Sequence, residues 1–526
     1  MLDAIIKNST LFGLKNNGSA KNDISIKDGA IVKIGQTDEE ALQVVDGQGL
    51  ITLPGFVDAH SHSDYYLLFD PEAQGKIMQG VTTEIGGNCG YSSAPIDGDI
   101  LKIRTEAYME QFGLKLDWKT FAEYWERLAT KGSSVNYAGL IGYNTLRASI
   151  VGTQDIPIED HHIEKMKEAV RENLAQGAAG MSIGLVYPPA CFSSIKEVAA
   201  VAEEVRKAGK VFTAHIRSEG KTLIESIEEI LEIARISGVR LQISHLKTAG
   251  KDNWHKLDKV FELIENAKNE GIDVSADRYP YIASNTGLQV LLPDWAFDGG
   301  RDAIIERLND SETRDKMREE ILENHPETEY WDTVMVSQVA TKKNYDLQGL
   351  RVSEAAKLKG KDAIDYVFDL LIEEKTEVEA IYFCMNPNNM DRVVQKDYVM
   401  IGSDAGARTI GGPLGIGRPH PRTFGTFPRF LRDYVLDRKI FTMNEAVKKT
   451  STSACERFGI EKRGKLIEGY HADIVMINPD TLKDTTTYEN PLSYPTGIEN
   501  VFVNGDLTVK DGKYLGTLSG KGLRVN

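Results

Sequence analysis

Cysteine is scarce in this sequence, with only four among 526 residues. They are widely spaced and form no Cys-x-x-Cys pair, so nothing indicates a disulfide framework. The four are Cys89, Cys191, Cys384 and Cys455. We therefore expect a reducing, cytoplasmic compartment for this protein.

Positive charge and long apolar runs are also lacking. The formal net charge is −16, and an acidic chain does not offer the basic surface that nucleic acid requires. No apolar run is long enough to span a membrane, and the opening MLDAIIKNST has no signal-peptide core or cleavage site. We therefore expect neither a nucleic-acid nor a membrane partner, while the oligomeric state stays open. An anionic substrate would need a local cluster of arginine or lysine.

The two ends of the chain share a pattern of short β-strands. Residues 23–34 contain two strand-like runs joined by an Asp-Gly turn of the hairpin type. Residues 472–503 contain two further runs of the same character. Neither end has enough apolar surface for a core of its own. We predict that residues 1–53 and 464–526 together form one small β-sandwich domain.

Between these ends, strand-like runs alternate with amphipathic helical patterns, such as the one from Thr222 to Ser237. This alternation predicts a parallel α/β architecture, and eight such units predict a (β/α)8 TIM-type barrel over residues 54–463. The gap after the seventh strand is too long for one helical crossover, so we expect an insertion at about residues 285–351, where it can cover the barrel mouth. The eight predicted strands lie around Val57 and at residues 81–85, 135–141, 179–184, 211–215, 240–245, 273–276 and 399–403.

The stretch from Leu53 to Gly90 carries the first chemical signal. His60 and His62 are two residues apart at the end of a strand-like run, so both imidazoles point to the same side. Cys89 follows the next strand, within the sequence Gly-Asn-Cys-Gly. Imidazole and thiolate are ligands that suit zinc. An isolated His-x-His pair is usually only polar loop sequence, and this pair gains weight from its fit with the rest of the chain.

Other predicted strand ends supply groups of the same kind. His215 ends the fifth strand and His245 the sixth, with Lys247 two residues further on the same side. Asp404 follows the eighth strand. The carboxyl ends of all barrel strands lie at one mouth, where barrel enzymes keep their catalytic residues. The sequence therefore predicts a metal site with an adjacent carboxylate at this mouth.

Longer motifs extend the pattern over nearly the whole chain. They are PGFVDAHSHSD (54–64), QGVTTEIGGNCGYSSAP (79–95), SHLK (244–247), SADRYPY (275–281), GSDA (402–405), GRPHPRTFGTFPRFL (417–431) and GYHADIVMINP (469–479). In these motifs the chain resembles the D-aminoacylase (N-acyl-D-amino-acid deacylase) family of the amidohydrolase superfamily. The Gly-Asn-Cys-Gly cysteine and the RPHPR and GTFPR segments are the most specific motifs, because many hydrolases share the His-x-His pair. Most binuclear relatives carry a carboxylated lysine as the bridging ligand, where this chain has a cysteine.

The resemblance implies a zinc-dependent hydrolase of the amide bond of N-acyl-D-amino acids, which releases a carboxylate and a free D-amino acid. By the same resemblance, Cys89, His215 and His245 hold one tight zinc ion. His60 and His62 form a second, weaker position, whose occupancy stays open. One cysteine and two histidines also leave a coordination position free, as catalytic zinc requires. The expected partner is a small N-acyl amino acid substrate.

The resemblance also assigns the groups that act on the substrate. Asp404 is expected to take a proton from the attacking water and to return it to the leaving amine. Lys247, Tyr279 and Arg418 are expected to bind the α-carboxylate, since a guanidinium offers a bidentate fork and an ammonium a point charge. The preference for particular side chains and acyl groups stays open.

Two other functions also remain open. A cyclic-amide hydrolase of the hydantoinase or dihydroorotase type would need a carboxylated lysine as bridging ligand, and we cannot place one. A non-enzymatic scaffold on the same barrel would lack metal ligands, whereas the full set is present here. Hydrolysis of linear amides is therefore the leading interpretation.

Overall fold

The computed structural model describes residues 1–16 and 18–525. The strands in these residues form three hydrogen-bonded sheets. In chain order they are β1 (Leu2–Leu11), β2 (Ala20–Lys27), β3 (Ala30–Ile34), β4 (Ala41–Asp46), β5 (Ile51–Pro54), β6 (Phe56–Asp58), β7 (Val81–Gly86), β8 (Asn136–Gly142), β9 (Gly180–Gly184), β10 (Val211–His215), β11 (Arg240–Ile243), β12 (Val274–Arg278), β13 (Ser284–Gly287), β14 (Val334–Val339), β15 (Val378–Tyr382), β16 (Val399–Ile401), β17 (Ile474–Ile477), β18 (Ile498–Val503), β19 (Asp506–Lys510) and β20 (Lys513–Tyr514).

Helices connect most of these strands. In the described chain the α-helices are α1 (Tyr66–Phe69), α2 (Gln74–Ile77), α3 (Gly98–Phe112), α4 (Phe121–Lys131), α5 (Tyr143–Ile150), α6 (Asp160–Ala175), α7 (Ile195–Lys207), α8 (Leu223–Ser237), α9 (Leu257–Asn269), α10 (Arg301–Asn309), α11 (Ser311–Asn324), α12 (Val352–Leu358), α13 (Ala363–Glu373), α14 (Pro387–Gln395), α15 (Arg422–Phe430), α16 (Met443–Val447) and α17 (Ser453–Phe458). Helix α15 continues as a π-helical segment, Leu431–Asp437, and a second one, Lys448–Thr452, joins α16 to α17. Short 3-10 helices lie at Ala190–Phe192, Lys251–Lys256, Leu288–Leu291, Asp294–Phe297, Thr328–Thr333 and Lys342–Leu347.

Eight parallel strands form the barrel, in the order β16-β12-β11-β10-β9-β8-β7-β6. The two edge strands of this sheet, β6 and β16, are joined by hydrogen bonds just beyond their last residues. Ala59 N donates to Ile401 O at 3.3 Å, and Asp404 N donates to His60 O at 2.8 Å. Strands β7, β8 and β9 are buried along their whole length, as expected of a parallel sheet covered by helices. The (β/α)8 barrel predicted from the sequence is confirmed.

The outer helices follow the amphipathic pattern of the sequence. Helix α7 is an example. The side chain of Ser194 caps its first turn by accepting a hydrogen bond from Glu197 N. Its buried face includes Val198, Val201 and Val205, spaced three and four residues apart. Burial of each of these side chains contributes about 1.5–3 kcal/mol. Among the described residues, no helix is both long and apolar enough to cross a membrane.

Strands from both ends of the chain form a second sheet, in the order β20-β19-β18-β17-β5-β1-β2-β3, with β4 paired to β1. The junction is the antiparallel pair of β5 and β17, in which Leu53 lies opposite Val475. These strands share a core that includes Ile24, Ile474 and Phe502. The small β-domain built from both termini is confirmed, while its predicted limits stay a prediction.

An insertion lies between the seventh and eighth barrel strands. It contains an antiparallel sheet in the order β13-β15-β14, together with helices α10 to α13. Trp331, Val336 and Phe368 belong to its own hydrophobic core. The ordered elements continue past residue 351, the limit predicted from the sequence, because β15 at Val378–Tyr382 is the central strand of this sheet.

Candidate active site

Tight turns at the strand ends bring the predicted site residues into the barrel mouth. Cys89, His245 and Asp404 adopt the left-handed backbone conformation, with φ of 52°, 36° and 52°. This conformation costs residues other than glycine on the order of 1–3 kcal/mol each. Gly90 provides room beside the first turn, because a Cβ there would lie 1.8 Å from Asn144 Oδ1. Strain concentrated at three neighbouring positions is typical of a functional site.

Cys89 lies among the predicted histidine ligands. Its Sγ is 3.3 Å from His60 Nε2 and 3.5 Å from His245 Nε2. Ligand atoms of Cys89, His215 and His245 lie within 4.8 Å of one another. A second group with this spacing consists of His60, His62, Cys89 and Asp404. The structure therefore brings all five predicted metal ligands together, and Cys89 belongs to both groups.

The spacing of these atoms fits zinc. Zinc binds thiolate at about 2.3 Å and imidazole at about 2.0–2.1 Å, so two ligand atoms of a tetrahedral site lie about 3.5 Å apart. The 3.5 Å between Cys89 Sγ and His245 Nε2 matches this separation. His215 Nδ1 is buried and has no hydrogen-bond partner in the described residues. An orphaned ring nitrogen beside a cysteine and a second histidine is a donor set that suits a metal ion.

The charge state of Cys89 also suits a metal ligand. Burial by itself raises the pKa of this thiol, but His60 and His245 outweigh burial and hold the pKa of Cys89 well below its ordinary value. The thiolate is the form that binds metals. Cys191 differs, because burial raises its pKa to about 12 and keeps it a thiol.

Carboxylates behind the histidines orient the rings. Asp277 Oδ1 lies 3.0 Å from His60 Nδ1 and accepts a hydrogen bond from His245 N at 2.8 Å. Glu219 Oε1 lies 2.8 Å from His245 Nδ1 and also contacts the Lys247 ammonium. Such carboxylates fix the tautomer of a metal-binding imidazole and raise its basicity. Sequence reasoning missed both acids, although an acid inside a buried strand, as at Asp277, is a usable signal.

Asp404 lies between the histidine pair and an arginine. Its Oδ1 is 3.0 Å from His62 Nε2 and 3.5 Å from His60 Nε2, and its Oδ2 is 2.9 Å from Arg422 Nη1. Burial opposes ionisation, but Arg422 and His245 outweigh it and hold the pKa of Asp404 well below its usual range. Asp404 is therefore a carboxylate that can accept a proton beside the predicted metal ligands.

Two of the three residues predicted to bind the α-carboxylate lie at this cluster. Lys247 Nζ is 2.7 Å from His245 Nδ1 and 5.9 Å from the centre of the Tyr279 ring. The Tyr279 hydroxyl is buried and has no hydrogen-bond partner in the part of the chain that the structure describes. Both groups can therefore donate to a bound anion.

The third predicted residue, Arg418, is not brought to the cluster. Its side chain is exposed, and its Nη1 donates to Glu489 O at 3.0 Å. Arg422 takes the expected place instead: it is buried, lies against Asp404, and its guanidinium stands 4.5 Å from the centre of the Tyr279 ring. The cause is the path of the chain, because the Arg418 backbone is hydrogen-bonded to strand β14 of the insertion, whereas Arg422 is the first residue of α15.

A fully buried lysine ties together the turns that carry these residues. Lys76 Nζ donates to Asp58 Oδ2 at 2.7 Å, to Ser403 Oγ at 2.8 Å and to Ala405 O at 2.7 Å. Glu84 Oε2 lies 3.5 Å away. Since Ser403 and Ala405 flank the predicted catalytic aspartate and Asp58 precedes the histidine pair, this lysine connects the first and last barrel strands below the site.

We expect Lys76→Met to destabilise the protein by about 3–5 kcal/mol, because it leaves Asp58 and Glu84 buried without their cation. Urea unfolding of the metal-free protein measures this change. Lys102→Met is the matched control, since Lys102 is exposed and pairs with the exposed Asp99, and its effect should stay within about 0.5 kcal/mol. An unfolding midpoint for Lys76→Met equal to that of the control would contradict the role given to Lys76.

Comparison with known proteins shows the family to which this chain belongs. The amidohydrolase family model matches residues 43–514. D-aminoacylase of Alcaligenes xylosoxydans xylosoxydans is 32% identical over 520 residues, which cover 99% of this chain and 97% of the relative. N-acyl-D-aspartate deacylase of the same organism is 30% identical, with 96% of this chain and 91% of the relative covered.

A solved structure is similar over the same length. N-acyl-D-glutamate deacylase of Bordetella bronchiseptica, complexed with zinc and a phosphonate inhibitor that mimics the tetrahedral intermediate, has a TM-score of 0.83 and 27% identity, and 99% of each chain is covered. This similarity includes both the barrel and the β-domain, since it spans nearly the whole chain. The chain therefore belongs to the amidohydrolase family and, within it, to the D-aminoacylases.

Proposed function

We propose that this protein is a zinc-dependent hydrolase that cleaves the amide bond of N-acyl-D-amino acids and releases a carboxylate and a free D-amino acid. The observation that carries the proposal is the convergence of Cys89, His215, His245 and Asp404 at one barrel mouth, with Arg422 against Asp404. Two relatives support it by name, one a D-aminoacylase and one an N-acyl-D-aspartate deacylase. The preference for the D configuration rests on these relatives.

Cys89, His215 and His245 would hold the tight zinc ion, and His60 and His62 would serve a weaker second position with Cys89. When bound, zinc supplies Lewis-acid activation of the attacking water and of the substrate carbonyl. The cysteine shared by both ligand groups takes the place of the carboxylated lysine that a cyclic-amide hydrolase would have. This arrangement favours linear amides over cyclic ones.

Asp404 acts as the proton carrier. Its low pKa keeps it ionised, so it can accept a proton from the water that attacks the amide. It then gives this proton to the departing nitrogen, because a neutral amine leaves far more readily than an amide anion. The histidine and arginine contacts of Asp404 hold its carboxylate in position for both steps.

Arg422, Lys247 and Tyr279 bind the α-carboxylate of the substrate. All three are buried at the cluster, and together they provide an ammonium, a guanidinium and a hydroxyl as donors in a chain whose net charge is −16. The Tyr279 hydroxyl gains the hydrogen-bond partner that it lacks among the described residues. A charge-assisted contact of this kind contributes about 1.5–3 kcal/mol.

A hydrolysis assay of the zinc-loaded full chain tests the proposal. N-acetyl-D-methionine should be cleaved to acetate and D-methionine, while N-acetyl-L-methionine and a hydantoin should be poor substrates. Removal of zinc with a chelator should abolish the reaction, and adding zinc back should restore it. Cleavage of the hydantoin alone, or equal activity after chelation, would refute the proposal.

The arginine assignment gives a separate prediction. Arg422→Ala should lower kcat/KM for N-acetyl-D-methionine by roughly ten- to a hundred-fold, and lower it less for an analogue that lacks the α-carboxylate. Arg418→Ala is the matched control and should be close to wild type, because Arg418 is exposed and bound to Glu489 O. If Arg418→Ala shows the selective loss and Arg422→Ala does not, the α-carboxylate belongs to Arg418.

A further inference from the structure

The inner strand of the insertion carries an acid that the proposed reaction does not use. Glu379 lies on β15, with Gly287 of β13 opposite it on one side and Gln338 of β14 on the other. The residues that flank it on β15, Val378 and Ala380, point into the hydrophobic core of the insertion. Since side chains alternate along a strand, Glu379 points away from that core.

The face that carries Glu379 is linked through Asn285 to Arg422, the arginine proposed to bind the α-carboxylate. Asn285 Nδ2 donates to Glu379 Oε2 at 2.9 Å, and Arg422 Nη2 donates to Asn285 O at 3.3 Å. Arg422 in turn contacts Asp404. Glu379 is therefore separated from the proposed α-carboxylate site by one residue, on the side where the insertion contacts Arg422.

Glu379 has no cationic partner. Among residues 1–16 and 18–525, no lysine, arginine or histidine forms an ion pair with it. The arginine that most lowers the pKa of Glu379, Arg408, lies at the same face: its Nη1 donates at 3.1 Å to Oε1 of Gln338, the residue opposite Glu379, and at 3.3 Å to Leu414 O. Burial raises the pKa of Glu379, and Arg408, the hydrogen bond from Asn285, Arg422 and His62 oppose this rise only in part. A partly buried carboxylate that has a neutral amide donor but no ion pair is energetically costly unless a ligand supplies a cation or a further donor.

A second acceptor lies beside Glu379. Gln289 Oε1 is buried and has no hydrogen-bond partner in the described residues. It stands over Gly287, where a Cβ would come within 2.3 Å of it. Gly287 is the residue directly opposite Glu379. The same face therefore presents two oxygen acceptors, and the guanidinium beside them, Arg408, is hydrogen-bonded to Gln338 and Leu414.

We propose that Glu379 and Gln289 line the subsite for the substrate side chain, and that this subsite selects N-acyl-D-amino acids whose side chain ends in a hydrogen-bond donor, an ammonium or an amide, over those with a carboxylate. The inference rests on the proposed deacylase function. With the α-carboxylate on Arg422, a side chain on the same α-carbon can extend towards Asn285 and Glu379, which follow Arg422 in the chain of hydrogen bonds. A lysine-like ammonium on the substrate would form an ion pair with Glu379, whereas a carboxylate on the substrate side chain would be repelled by it. The preference is opposite to that in the names of the D-aspartate and D-glutamate deacylases to which the chain is similar.

The test uses four substrates with the zinc-loaded full chain: the Nα-acetyl derivatives of D-lysine, D-glutamine, D-glutamate and D-methionine. D-glutamine and D-glutamate have nearly the same shape, so their ratio of kcat/KM reports the change from a charged acceptor to a neutral hydrogen-bond donor. For the wild type this ratio should exceed roughly tenfold in favour of glutamine. Glu379→Gln should raise kcat/KM for the glutamate derivative and lower it for the lysine derivative, each by roughly tenfold. A zinc content and a Tm equal to those of the wild type show that the variant is folded.

Glu377→Gln is the matched control. It removes the same charge two residues earlier, but Glu377 contacts Arg301 Nη2 at 2.7 Å and Gln111 Nε2 at 3.0 Å, away from the site. Its substrate ratios should equal those of the wild type. If Glu379→Gln leaves the ratios unchanged, or if Glu377→Gln shifts them equally, the subsite is refuted while the deacylase function stands. If the wild type cleaves none of the four substrates with zinc bound, the proposed function itself fails, and the subsite with it.

Discussion

We expect Cys89→Ala to lose the tightly held zinc ion and nearly all amide hydrolysis. Cys89 belongs to both groups of candidate ligands, and it is the thiolate among them. Its removal leaves His215 and His245 as the remaining pair of the tight site, too few ligands for a catalytic zinc site. Loss of a group that only supports a ligand costs roughly ten- to a hundred-fold in metal affinity, and loss of the ligand itself should cost more.

Metal analysis after gel filtration measures this outcome directly. The wild type should retain about one zinc per chain in the tight site, and Cys89→Ala close to none. Thermal unfolding provides a readout that does not depend on activity, because a ligand bound only to the folded state raises Tm. A chelator should therefore lower Tm of the wild type but not of Cys89→Ala.

Cys191→Ala is the control for loss of a cysteine near the mouth. Cys191 is partly exposed, belongs to neither ligand group, and is kept protonated by burial. Its zinc content and turnover should equal those of the wild type. Stoichiometric zinc together with normal turnover in Cys89→Ala would remove Cys89 from the site.

The barrel and the metal cluster could be predicted because both leave periodic or local signals. Apolar runs mark the barrel strands, and in a parallel barrel each strand end must lie at one mouth. His60, Cys89, His215 and His245 could therefore be grouped although they are far apart in sequence. Their detailed contacts, such as the 3.3 Å between Cys89 Sγ and His60 Nε2, follow from turns with positive φ that no sequence periodicity reveals.

Periodicity and strand ends could not show which of two nearby arginines enters the site. Arg418 and Arg422 lie in one short segment with similar composition, and spacing alone does not say which one enters the site. The decision depends on the insertion, because strand β14 holds the Arg418 backbone outside the cluster. Lys76 was missed for a related reason: it lies in a four-residue helix, and only the tertiary structure places it against Asp58 and Glu84.

Asp404→Asn should keep zinc and lose turnover. The tight ligands Cys89, His215 and His245 are untouched, so metal content should stay close to that of the wild type. Substrate should still bind, because Arg422 and Lys247 remain. An amide cannot accept the proton from water or return it to the leaving nitrogen. Turnover should therefore fall by roughly a hundred- to ten-thousand-fold, the contribution of a positioned acid–base group.

The pH dependence gives a second readout for Asp404. Its pKa lies well below the usual range, so the wild-type carboxylate is ionised at neutral pH and loses its activity only as the pH falls through that low pKa. The acid limb of the kcat profile should therefore disappear in Asp404→Asn. Asp397→Asn makes the same substitution at an exposed position before β16, at the opposite end of the barrel strand, and should keep both the rate and the acid limb. Near-normal turnover of Asp404→Asn would exclude Asp404 from proton transfer, whereas loss of the tight zinc in this variant would make Asp404 a ligand of that ion instead.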